Sequence, residues 1–79
     1  MEKKRINIDF GKRLKQARTA NGYTLQRSAD ALDIALRTYQ SYESGDRFPS
    51  PDVLVSISKL FSVSIDWLLS LSDEASFDA

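Results

Sequence analysis

Apolar positions recur at helical spacing along most of this chain. Phe10, Leu14 and Ala17 fall on one face behind Asn7 or Asp9 as candidate caps, and Asn21-Gly22 supplies a stop, so the spacing predicts a helix over 8–21. Thr24 is a candidate N-cap for a second, short helix carrying Leu25, Ala29 and Leu32 on one face, with Ser28 beside them. Beyond Asp33-Ile34-Ala35, Leu36, Tyr39 and Tyr42 recur every third residue, and Gly45 closes that third helix. The stretch from Asp46 to Ser50 reads as an extended loop, after which Pro51 is placed to open a fourth helix with the wide apolar stripe Val53, Leu54, Ile57, Leu60 and Phe61. Ser64 caps a fifth helix carrying Ile65, Trp67, Leu68 and Leu69, with Trp67 assigned to the core. Phe61 to Asp66 also alternates apolar and polar residues, but a lone strand would have nothing to pair its backbone, so it reads as a helix end, a turn and a cap.

The expectation is therefore an all-α, compact five-helix domain without strands. At 79 residues there is room for one core and no second domain. Residues 1–7 read as a flexible basic arm, 8–71 as the folded domain, and 72–79 as an acidic, frayed tail. No apolar run approaches the roughly 20 residues of a membrane span, and no signal-like stretch follows the charged start, which predicts a cytoplasmic protein. Cysteine and histidine are absent, which removes disulfides, thiolate or imidazole metal sites and most nucleophile machinery. No glycine-rich phosphate loop or spaced acid-base pair stands in their place, so neither an enzyme nor a cofactor, metal or small-molecule ligand is expected.

Net charge is zero, which by itself argues against nucleic acid, since DNA affinity rests largely on cations that neutralise phosphates. Distribution changes that picture. Lys3, Lys4, Arg5, Lys12, Arg13, Lys15 and Arg18 crowd the first quarter, while Asp66, Asp73, Glu74 and Asp78 occupy a cation-free end. Two short, tightly joined helices after a longer one have the dimensions of a helix-turn-helix, whose second member enters the major groove. Its outer side would carry Arg37, Thr38, Gln40 and Ser41, side chains suited to base edges and phosphates, although a merely solvated face would look the same.

The run Tyr39-Gln40-Ser41-Tyr42-Glu43-Ser44-Gly45, followed by Arg47 and Pro49, resembles the end of the recognition helix in the phage-repressor and Cro-like (XRE-type) helix-turn-helix family. Ser64-Ile65-Asp66-Trp67-Leu68-Leu69 is similar to that family's last helix, and Gly22, Ala29 and Leu32 stand in register, so the resemblance spans roughly residues 8 to 71. It implies a lambda-repressor-like fold and a regulator of transcription, a dimeric repressor of phage or mobile-element type that reads double-stranded operator DNA. Base contacts would then fall to Leu36, Arg37, Gln40 and Ser41, with core packing the alternative for Leu36. Phosphate contacts would fall to Gln26, Thr38, Tyr42 and Arg47, and Arg18 and Glu43 would form a structural pair. Leu68, Leu69 and Leu71 are the candidates for a homodimer contact, placing two recognition helices about 34 Å apart on a palindromic operator. Lys3 to Arg5 would add an arm along the DNA or form a solubilising tail.

The chain departs from the family pattern at three positions. Leu25 replaces a phosphate-binding glutamine, Ser28 a core leucine or isoleucine, and Asp33 a turn glycine. With the acidic end and zero net charge, Leu25 leaves a second reading open: an antitoxin-like or anti-repressor protein-interaction module that kept the fold without specific DNA binding.

Overall fold

The computed structural model describes residues 2–74; Met1 and the last five residues of the acidic segment lie outside the described residues. Five helices follow in order: α1 (Arg5–Ala20), α2 (Leu25–Ala31), α3 (Leu36–Ser44), α4 (Pro51–Phe61) and α5 (Ile65–Leu68). No strand occurs among the described residues. The caps follow the sequence reading at three ends. Thr24 Oγ1 accepts from the Arg27 N–H and Ser64 Oγ from the Trp67 N–H, while Pro51 opens α4 at its first position behind the Ser50 cap.

The start of α1 is a correction. The helix begins at Arg5, not at residue 8, with Lys4 at the cap position and no side-chain cap, so Asn7 and Asp9 lie inside the helix. Residues 5–7 of the expected basic arm are therefore helical. The other end of the domain differs too: Arg13 Nη1 donates to the Ser72 carbonyl at 2.9 Å and Arg13 Nη2 lies 3.5 Å from Asp73 Oδ1, which anchors the first residues of the segment read as frayed.

Phe10, Leu14, Ala17, Ala29, Tyr39, Tyr42, Ile57, Phe61, Val63 and Leu68 form the buried core. Trp67, expected inside, is half-buried at its rim, with the Arg13 guanidinium stacked 5.0 Å from its ring centre. Tyr23 and Phe61 meet edge to face at 5.4 Å, tying the α1–α2 loop to the end of α4. Phe48 packs on Phe10 at 4.8 Å and holds the loop after α3 against α1.

Two departures from the family pattern acquire a physical account. Asp33 sits at φ 55°, the left-handed conformation where glycine is usual and which aspartate tolerates better than most residues. Ser28 is fully buried, and its hydroxyl donates to the Thr24 carbonyl at 2.9 Å one turn back. Its neighbour Tyr39 is also fully buried. Its phenol lies beside Ser28, Glu43 and Arg18 yet makes no hydrogen bond of normal geometry, and burial, followed by the neighbouring Glu43, pushes it far above the usual tyrosine range.

Gly11, unremarked in the sequence, sets how closely α1 and α3 approach. A Cβ there would sit 2.7 Å from the Tyr42 carbonyl oxygen and closer still to that of Glu43, both rigid backbone atoms. Gly11→Ala should therefore destabilise the fold by about 2 kcal/mol or more despite alanine's better helix propensity. Thermal unfolding would show this as a drop of roughly 10 °C. Tyr39→Phe removes a buried hydroxyl that has no hydrogen-bond partner among the described residues, so stability should stay level or rise by up to about 1 kcal/mol in urea unfolding.

Candidate nucleic-acid interface

The helix α3 divides its side chains between two environments. Tyr39 and Tyr42 point into the core, Leu36 packs partly against it, and Arg37 and Gln40 are exposed, with Thr38 and Ser41 half-buried at the margin. The division follows from the helical repeat, which returns every third or fourth residue to the same side. Gly45, at φ 86°, ends α3 in the left-handed conformation, and the Asp46 and Arg47 N–H groups both donate to the Ser41 carbonyl. These two hydrogen bonds fold the chain back, so Arg47 returns to the flank of α3.

Arg37, Thr38, Ser41 and Arg47 consequently line one cleft of about 240 Å³, together with Asp46. Four of the residues expected at the site are thus neighbours. The guanidinium groups of Arg37 and Arg47 pair with no carboxylate among the described residues, which leaves their donors free for an anion or a base edge. Ser41 Oγ donates to the Thr38 carbonyl at 2.6 Å, so in this rotamer the hydroxyl faces a partner as an acceptor.

Other expected site residues are placed less favourably. Gln26 is exposed on α2, but its amide donates to Asp30 Oδ1 at 2.9 Å, which turns it along its own helix. Tyr42 is 7 % exposed and belongs to the core, so its ring is unavailable to a partner. Leu68 is fully buried and cannot serve as a dimer contact, because its side chain fills the core between α5 and its neighbours; Leu69 is half-buried and Leu71 is 74 % exposed.

Arg18 and Glu43 meet as expected. Arg18 Nε donates to Glu43 Oε2 at 2.6 Å and Nη2 to Oε1 at 3.3 Å, while Nη1 reaches the Tyr23 carbonyl at 2.9 Å. The two side chains are only 11 % and 9 % exposed, and the hydrogen bond with Glu43 raises the Arg18 pKa further. Sequence reasoning missed a second ionic cluster at the end of α3. Lys3 Nζ donates to the Ser44 carbonyl at 2.9 Å and lies 3.4 Å from Asp46 Oδ1, while Ser44 Oγ donates to Asp46 Oδ2. The Ser44 hydrogen bond, then Lys3, hold Asp46 below the usual carboxylate range. Residues 43 positions apart carry no sequence signal of such a contact. No helix among the described residues is long and apolar enough to cross a membrane.

Comparison with known proteins identifies the family and the fold. The helix-turn-helix family model matches residues 14–68, and the chain belongs to that XRE-type family. It is 42 % identical over 69 residues to the HTH-type transcriptional regulator ImmR of Bacillus subtilis, covering 87 % of this chain and 54 % of ImmR. It is 44 % identical to the SPbeta prophage-derived regulator YonR of the same organism, covering 87 % of this chain and 63 % of YonR. The chain thus spans a little over half the length of these relatives. Among solved structures, SinR, a master regulator for biofilm formation crystallised with DNA, superposes with a TM-score of 0.70 at 33 % identity, covering 76 % of this chain and 97 % of that one.

Breaking the Arg18–Glu43 pair from either side strands a buried charge, so Arg18→Ala and Glu43→Ala should each cost about 3–5 kcal/mol in urea unfolding. The double substitution should cost clearly less than the sum of the two. Additive losses would mean that the two groups act independently.

Proposed function

We propose that this domain is a sequence-specific, double-stranded-DNA-binding regulator of transcription, acting as a dimeric repressor of phage or mobile-element type on a palindromic operator. One observation carries the reading: Arg37, Thr38, Ser41 and Arg47 open into one cleft on the outer side of α3, and among the described residues no carboxylate pairs with the two guanidinium groups. Arg37 is the principal base reader, since a guanidinium can donate two bonds to guanine O6 and N7, and Gln40 and Ser41 read beside it. Thr38 and Arg47 hold the phosphates and set register. Leu36, partly exposed at the first position of α3, touches a thymine methyl group while packing its inner side on the core. The transcriptional roles in the names of ImmR and YonR, and the DNA bound to SinR, support this assignment. Dimerisation through the segment that follows α5 rests on Leu71, which is exposed, and on Leu69, which is half-buried.

Selection from a randomised duplex pool at low and moderate salt tests the reading. Wild-type protein should enrich a two-fold symmetric site. Arg37→Ala should lose discrimination at one position of each half-site by about 1–3 kcal/mol, and Arg47→Ala should weaken all sequences alike and lower the salt slope by about 1. If nothing is enriched at either salt, DNA reading fails and the protein-interaction module takes its place.

A further inference from the structure

The cleft on the outer side of α3 contains one residue of the wrong sign for DNA. Asp46 lines it together with Arg37, Thr38, Ser41 and Arg47. It also lines a second cleft of about 240 Å³, formed with Glu2, Lys3, Lys4, Asn7 and Gly45, so this carboxylate is shared between the start of the chain and the candidate reading face. The local geometry holds it there. Its backbone N–H is tied to the Ser41 carbonyl at 3.0 Å, and its side chain is fixed by Ser44 Oγ at 2.9 Å. The carbonyl end of α3 adds partial negative charge at the same place. Lys3 answers both, since its ammonium donates to the Ser44 carbonyl and lies 3.4 Å from Asp46.

With side chains 42 % and 59 % exposed, this ion pair adds little to folding. Its consequence falls on whatever approaches the cleft. We propose that Lys3 is a positioning residue for DNA binding: it neutralises Asp46 and the carbonyl end of α3, so that a duplex can close on the cleft, its phosphates on Thr38 and Arg47 and a base edge on Arg37, without meeting an uncompensated carboxylate. The inference rests on the DNA-reading function proposed above. It gives the beginning of the chain a role other than an arm along the duplex, because the ammonium is directed to the protein's own acid. Once water is displaced, one bare carboxylate roughly 8 Å from a phosphate, at an effective dielectric of about 30 to 40, weakens binding by a factor of about 5 to 10.

A four-protein cycle tests this: wild type, Lys3→Ala, Asp46→Asn and the double variant, each titrated with the duplex enriched above and with a mixed-sequence duplex, at low and moderate salt. Lys3→Ala should weaken binding to both duplexes by about 5- to 10-fold at low salt, less as screening rises. In the Asp46→Asn background the same substitution should change affinity by less than about 2-fold, because there is no longer a charge to mask. Thermal midpoints should agree among all four, as expected for an exposed pair. An equal loss in both backgrounds would show that Lys3 meets phosphate itself and would overturn the proposal, as would an affinity indifferent to Lys3. Failure of the wild type to bind either duplex would instead remove the DNA-reading function, and this inference with it.

Discussion

The bidentate Arg18–Glu43 pair is the joint on which the arrangement of the first three helices depends. It links the last turn of α1 to the last turn of α3, and the third guanidinium contact, to the Tyr23 carbonyl, fixes the loop that leads into α2. One side chain therefore sets three elements relative to each other. Withdrawing both charges from water is costly, and the two-point geometry offsets that cost because each carboxylate oxygen receives its own donor. Where Arg18 directs the helices, Gly11 permits their distance, since its missing side chain lets the backbone of α1 rest on the carbonyls of Tyr42 and Glu43.

This frame matters for function because side chains that read bases must be held by something rigid. The helix α3 is clamped from inside by Tyr39 and Tyr42 and at its end by Glu43, while Arg37 and Gln40 stay free on the outside. The loop that follows is held equally firmly. Phe48 rests on Phe10, Pro49 is buried, and the Arg47 N–H is bonded to the Ser41 carbonyl, so the Arg47 backbone is fixed beside α3.

Charge is redistributed by folding. Along the sequence the cations crowd the beginning and the last stretch carries acids without cations, but three of those early cations are turned inward on the protein itself. Arg13 crosses to Asp73 and the carbonyls of Trp67 and Ser72, Arg18 to Glu43, and Lys3 to Asp46. What a partner meets is the local balance around Arg37, Arg47 and Asp46, and neither the net charge nor the basic first quarter describes that balance.

The features legible in the sequence are those whose cause is local. Helical spacing announced Phe10, Leu14 and Ala17, Thr24 and Ser64 announced their caps, Gly45 its stop, and the outer polar positions of α3 followed from the same period. The Arg18–Glu43 pair came from resemblance to a family and not from spacing. Other features needed the fold: the helical start at Arg5, the burial of Leu68, the close approach at Gly11, the return of Arg47 to the side of α3, and the meeting of Lys3 with Asp46. Each depends on which segments come together, a property of packing between residues distant in the chain. A periodic pattern shows that a helix has an inner face, but only the neighbouring helices decide how completely that face is covered and which charges it leaves to the outside.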